Sequence, residues 1–305
     1  MRAPCAQAPA KMERTMTTSQ RLPPWFKVPM PGNDRYRGLK DIMRSQALHT
    51  VCEEARCPNI GDCWGRGTAT FMVLGDVCTR ACRYCYVTSG KRGGDVDALE
   101  PLRVAQAVKQ MGVRHAVVTS VDRDDLPDGG AGVFAATIHA IRKVAPGVAV
   151  EVLIPDFQGD WAALQTVLDA QPEILNHNIE TCRRVFRVVR AKGDYDLSLD
   201  LLHRAKEQGL RTKTGMMVGL GETWEEVLAT MDDLRAVDVD ILTVGQYLRP
   251  SDKHVAMDRY YTPEEFKKLR EAALSKGFRH AECGPLVRSS YHAEEQSADL
   301  MNVGA

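Results

Sequence analysis

Six of the nine cysteines in this 305-residue chain fall into two triplets, Cys52-x4-Cys57-x5-Cys63 and Cys78-x3-Cys82-x2-Cys85. The second brings three thiolates together from one short loop. Three thiolates suit a 4Fe-4S cluster in which one iron is left without a protein ligand, free to bind substrate or cofactor. Two blander uses of clustered cysteine fit less well. A structural zinc site pairs two C-x2-C hooks, or one hook with two histidines. Cys82-x2-Cys85 has no second C-x2-C hook to match it, and His49 and His115 lack H-x3-5-H spacing. Disulfide staples belong to small secreted domains short of core. This chain is 44% hydrophobic, and its first twenty residues hold no apolar h-region.

The elements that must position these cysteines can be read downstream of them. Short apolar runs TATFMVLG, HAVVTS, VAVEVLI, EILNHN, TGMMVGL and DILTVGQ read as six strands. Stretches with helical spacing lie between and after them, at 102–111, 133–144, 161–168, 197–207, 225–234 and 263–274. Pro, Asp, Gly or Thr stands within two residues before each, which suits a helix start. Such alternation predicts parallel strands covered by helices, an α/β fold built as a partial (β/α)6 TIM-type barrel. Chemistry in barrels sits at the C-terminal ends of the strands. The second triplet follows the first strand, so it belongs at the barrel mouth.

We expect four segments. Residues 1–24 are a polar, disordered tail ending in Pro23-Pro24, and 25–67 are an N-terminal extension carrying the first triplet. The barrel occupies 68–276, and 277–305 form a C-terminal extension. Trp25 to Val28 is a short apolar anchor, and residues 35–49 read as a weak helix. Lysine plus arginine equals aspartate plus glutamate at 40 each, so no net field favours nucleic acid. No run approaches the roughly 18 apolar residues of a membrane span. A soluble protein of the bacterial cytosol is the expectation. The basic tail, with Glu13 as its one acid, supports an organellar transit peptide less well.

The loop C78-TRA-C82-RY-C85, with aromatic Tyr84 before its last cysteine, resembles the signature of radical S-adenosylmethionine enzymes. The strings HTVCEEARCPNIGDCWGRGTATFM, VVTSVDRDDLPDGGA, EVLIPDF, LNHNIET, GLGET, VGQYLRPS and GPLVRSSYHA occur in that order from about Trp25 to Ala293. Together they resemble the lipoyl synthase family. The resemblance implies two 4Fe-4S clusters. One, on Cys78, Cys82 and Cys85, would bind S-adenosylmethionine. The other, auxiliary and sulfur-donating, would sit on Cys52, Cys57, Cys63 and a serine of Arg288-Ser289-Ser290-Tyr291, taken as Ser290 beside the tyrosine. An alkoxide binds iron less well than a thiolate, so that ligand would leave first.

The implied reaction inserts two sulfur atoms at C6 and C8 of an octanoyl group on a carrier lysine. Those C–H bonds carry no acidic proton, so the cofactor must supply a radical. Implied partners are octanoylated lipoyl carrier domains (2-oxoacid dehydrogenase E2 and the glycine cleavage H protein), a ferredoxin or flavodoxin reductant, and an Fe-S cluster carrier. Candidate S-adenosylmethionine contacts are Tyr84, Thr119, Ser120, Asn178, Glu180 and Arg190. Gly215 to Glu222 (GMMVGLGE) resembles the G-x-I-x-G-x-x-E strand that relatives place against adenine, with glycine permitting close backbone approach. The run Asp122-Arg123-Asp124-Asp125 would ordinarily read as a solvated turn, whereas the resemblance implies that it shapes the active-site face. Cys182 and Cys283 read as buried apolar residues, and Cys5 lies in the tail. Departures are small: Tyr86 stands where relatives often carry aspartate, and Thr214 where serine is common. A biotin synthase or methylthiotransferase would share the second triplet but lack the R-S-S-Y segment and the first triplet.

Overall fold

The computed structural model describes residues 22–28, 32–66, 68–291 and 293. Cys5 and most of the expected tail fall outside them. Helix α1 (Asp34–Ser45) starts where Asn33 Oδ1 accepts the Tyr36 amide at 2.8 Å, and it buries Leu39 and Met43. It stops short of the expected His49. Ala47 turns left-handed at φ 48°, and His49–Thr50 become strand β1, antiparallel to the strand that follows. Two short helices, α2 (Val51–Glu54) and α3 (Ile60–Arg66), then carry Cys52 and Cys63, with Cys57 between them. Of the expected anchor, Phe26 packs on Tyr260 at 5.3 Å, whereas Val28 is exposed.

The barrel begins with β2 (Thr70–Val73), every residue of which is buried. The minimal strands β3 (Val77–Cys78) and β4 (Thr88–Ser89) pair with each other and close the base of the second cysteine loop. Thereafter helix and strand alternate: α4 (Glu100–Met111), β5 (His115–Ser120), α5 (Ala131–Val144), β6 (Ala149–Leu153), α6 (Trp161–Asp169), β7 (Ile174–Asn176), α7 (Arg183–Val189), α8 (Tyr195–Glu207), β8 (Arg211–Val218), α9 (Trp224–Ala236), β9 (Ile241–Gln246) and α10 (Pro263–Ser275). All six expected strands are present, and all pair in parallel, in the order β2-β5-β6-β7-β8-β9.

Side chains on both faces of these strands are buried, which is why they read as continuous apolar runs. The helix starts have chemical causes. Asp160 accepts the Ala162 and Ala163 amides at the head of α6, and Thr223 with Glu226 and Thr262 with Glu265 form reciprocal capping boxes on α9 and α10.

Two edge strands were not expected. Besides β1, strand β10 (His280–Gly284) adds in parallel to β9, so the sheet has eight strands and runs past the boundary expected at 276. His280-Ala281-Glu282-Cys283 carries little apolar signal because β10 lies at the sheet edge and only Ala281 of its residues is buried.

Candidate active site

One cavity of about 530 Å³ opens beside the C-terminal ends of β2, β5, β6, β8 and β9. Cys78, Cys82 and Cys85 line it, as do Cys52, Cys57 and Ser290. Tyr84, Thr119, Ser120, Asn178, Glu180 and Arg190 face the same space. Cys63 lines a small adjoining pocket together with Cys52, Cys57 and Ser290. Every candidate cluster ligand and S-adenosylmethionine contact named from the sequence therefore lies on one connected surface.

The second cysteine loop is pinned by its backbone. The Thr79 amide donates to Asp122 O at 2.9 Å, Gly90 to Cys78 O at 2.9 Å and Arg83 to Val189 O at 2.8 Å. Sequence reasoning missed its strongest anchor, Arg80, which lies between two cysteines and is 2% exposed. Its guanidinium donates to both oxygens of Asp156, at 2.6 and 2.8 Å, to Asp124 at 2.9 Å, and approaches Asp122 to 3.4 Å. The acidic run is thus more than a solvated turn, and Asp122 lines the cavity. Asp122 and Asp124 hold Arg80, and Asp125 pairs at 2.8 Å with Arg123, itself buried. The acids of D-R-D-D and P-D-F, three of which close on the motif arginine, were the signal that could have revealed the network.

Burial pushes the thiols of Cys52 and Cys78 up to about 11 and that of Cys85 up to about 12, and it raises Cys57 and Cys82 as well. Asp122, which receives the Cys78 thiol at 3.6 Å, adds to the shift at Cys78. A bound cation must therefore displace these protons, as in any thiolate metal site. Six free cysteines in two groups of three, set in soft sulfur-rich surroundings, match iron-sulfur chemistry. Among the described residues no three His, Cys, Asp or Glu close on one point as a lone ion requires. The fit therefore rests on the donor set.

The remaining candidates differ in how committed their polar atoms are. Thr119 Oγ1 donates to Leu153 O at 2.8 Å, whereas Ser120 Oγ is buried with no partner among the described residues. Asn178 Nδ2 donates to Ser289 Oγ at 3.2 Å and leaves Oδ1 unpartnered. Arg190 is 5% exposed rather than solvated, 3.5 Å from Asp156 and 3.4 Å from Asn178 O. Glu180 turns left-handed at φ 67° and bridges to Met216, while burial raises its carboxyl against the pull of Arg190. A Cβ on Gly215 would fall 2.7 Å from Asn178 Oδ1 and 2.9 Å from Thr243 Oγ1, so glycine is what lets these two side chains pack against the strand at the cavity wall. The unpartnered oxygens of Ser120 and Asn178 form a cradle for a polar ligand.

The C-terminal segment reaches the first triplet by three bonds. Asn59 Nδ2 donates to Leu286 O at 2.6 Å, Thr70 Oγ1 to Ser290 Oγ at 2.7 Å and Tyr291 Oη to Asp62 at 3.2 Å. Ser289 instead turns to Asn178. Gly245 on β9 permits the crossing, since a Cβ there would lie 2.1 Å from Val287 O. As expected, Cys182 is buried among Val185, Val189, Leu220 and Tyr247, whereas Cys283, also expected to be buried, is half-buried against the second core cluster.

Residues 72–234 match the model of the radical SAM superfamily, and residues 2–57 match the N-terminal domain of lipoyl synthase of that family. Lipoyl synthase of Rubrobacter xylanophilus is 59% identical over 279 residues, covering 91% of this chain and 87% of the relative. Its counterpart in Symbiobacterium thermophilum is 57% identical over 300 residues, 98% of this chain and 93% of the relative. The chain belongs to the lipoyl synthase family. Solved structures agree on the lipoyl synthase barrel at the level of fold alone. Methylornithine synthase superposes with TM-score 0.54 at 15% identity, over 69% of each chain. HydG, a maturase of the [FeFe]-hydrogenase, gives 0.52 at 19%, over 74% of this chain and 58% of its own.

Proposed function

We propose that this chain inserts sulfur at C6 and C8 of an octanoyl group on a carrier lysine, using two 4Fe-4S clusters in one cavity. The observation that carries this reading is the meeting of both cysteine triplets and Ser290 on one surface. The bound groups would supply a radical that takes hydrogen from an unactivated C–H bond and a sulfide that takes its place.

The chain's own residues do the holding. Cys78, Cys82 and Cys85 would ligate the cluster that binds S-adenosylmethionine, on a loop fixed by Arg80. Cys52, Cys57, Cys63 and Ser290 would ligate the second. Ser120 and Asn178 offer unpartnered oxygens to an ammonium or hydroxyl donor. The guanidinium of Arg190 suits a carboxylate, and Tyr84 and the Gly215 backbone offer flat, close surfaces to a ring. Met72, Val121, Leu153, Met216 and Leu248 give the same cavity an apolar lining for an alkyl chain.

The substrates would be octanoylated lipoyl carrier domains of the E2 and H-protein kind. A ferredoxin or flavodoxin would deliver electrons, and a cluster carrier would restore the donor. Among the described residues no helix is long and apolar enough to cross a membrane, and we place the reaction in the bacterial cytosol. Anaerobic reconstitution tests the core of the proposal. About eight irons per chain and lipoyl product from an octanoyl-lysine peptide support it, whereas about four irons without product contradict it.

A further inference from the structure

Three side chains from three segments stack at the cavity wall. The Arg56 guanidinium carbon lies 4.3 Å from the centroid of the Tyr86 ring. On Tyr86 the imidazole of His254 stacks at 5.9 Å and 27°. His254 is itself fixed, with Nε2 2.9 Å from Cys85 O and Nδ1 2.8 Å from Ser251 Oγ. The Val255 amide donates to Arg83 O at 2.9 Å, tying the same loop to the second triplet again.

The positions of these residues matter. Arg56 directly precedes Cys57, Tyr86 directly follows Cys85, and both line the cavity. Arg56 holds a left-handed backbone, φ 48°, which an arginine adopts at a cost unless its surroundings demand it. Its side chain is not held there by an acid, because no carboxylate pairs with it among the described residues. The face of Tyr86 is the partner on view, and a guanidinium over a tyrosine face is an attractive contact.

We propose that Arg56, Tyr86 and His254 form a positioning bridge that sets the separation of the two cysteine loops. The inference rests on the two-cluster reading above. His254 immobilises Tyr86 and the carbonyl of Cys85, and Tyr86 in turn captures the arm next to Cys57. Tyr86 is the ring over which Arg56 lies, so loss of its face loosens the Arg56 arm of the first loop relative to the second. Hydrogen abstraction and sulfur capture must occur on one bound chain, and looser spacing lets the first proceed without the second.

Tyr86→Leu removes the face and keeps bulk, Tyr86→Phe restores the face, and Arg56→Ala removes the cation. The readouts are 5′-deoxyadenosine formed per lipoyl group, iron per chain, and amide hydrogen exchange over residues 53–58 in iron-loaded and iron-free protein. In Tyr86→Leu and Arg56→Ala, exchange should speed up and the ratio should rise about threefold or more, the range that loss of one cation–π contact supports. Tyr86→Phe should match the parent chain in both. Unchanged exchange in the leucine variant overturns the bridge, as does faster exchange with an unchanged ratio. Loss of half the iron also overturns it, because the tyrosine then builds a cluster site rather than spacing two. If the parent chain itself cleaves S-adenosylmethionine but never inserts sulfur, the proposed function fails, while the exchange data still decide the bridge.

Discussion

The two triplets differ in what each is asked to hold, and single substitutions separate them. Cys52→Ala should leave cleavage of S-adenosylmethionine largely intact and abolish sulfur insertion, while Cys82→Ala should stop both. Chromatographic assay of 5′-deoxyadenosine and lipoyl product in each variant checks this, and lipoyl product from Cys52→Ala contradicts the division of labour. The cysteines were legible because thiolate spacing is a local property of the chain. Arg80 was not. An arginine in a loop reads as solvated until the fold brings Asp122, Asp124 and Asp156 around it, and those lie 42, 44 and 76 positions along the sequence. Their pull outweighs the cost of burial and holds the guanidinium charged. Arg80→Met would leave three carboxylates facing one another. Breaking a buried pair in this way costs about 3–5 kcal/mol, which thermal unfolding should register as a large drop in midpoint.

At the scale of elements, apolar runs and cap residues sufficed for the six barrel strands and six covering helices, because both signals are local, whereas the seven-residue α7 was not expected. The ends of the sheet were not legible. Strand β1 is two residues long, and β10 is an edge whose side chains are mostly half-buried, so neither repeats a pattern long enough to recognise. Those edges matter to the site, since β1 leads into Cys52 and β10 leads into the serine segment. Gly245 is where the serine segment crosses β9. Gly245→Ala should push Val287 and Ser290 away, because the added carbon meets a backbone carbonyl that cannot rotate aside. The expected outcome is loss of iron from the auxiliary site with the radical-source site retained. Iron counting on Gly245→Ala alone and combined with Cys82→Ala checks the assignment: the single variant keeps about half the metal and the pair keeps almost none.

For the whole molecule, burial of ionisable groups in the barrel makes stability depend on pH. Burial, aided by Arg190, holds the His177 imidazole down from 6.5 to about 4. Burial alone would raise Glu151, but Lys213 at 2.9 Å and His115 at 3.2 Å outweigh it and hold the carboxyl at about 2. In both cases the unfolded chain binds the proton first as pH falls, so the folded state loses stability. The loss at His177 runs from pH 6.5 to 4, and that at Glu151 from 4.5 to 2. Unfolding midpoints should therefore decline from pH 6.5 downward. His177→Gln should flatten the upper limb and leave the lower one, and a midpoint that rises between pH 6.5 and 4 contradicts the assignment.

Whether the protein consumes its own cluster is the question on which the function turns. The chain would be reconstituted with heavy-isotope sulfide, freed of unbound sulfide, and given octanoyl-lysine peptide, S-adenosylmethionine and a reductant in the presence of ordinary sulfide. Mass spectrometry of the peptide should show two heavy sulfur atoms in every lipoyl group formed in the first turnover. Light sulfur in that product would mean that the atoms come from solution, and that Cys52, Cys57, Cys63 and Ser290 hold no donor.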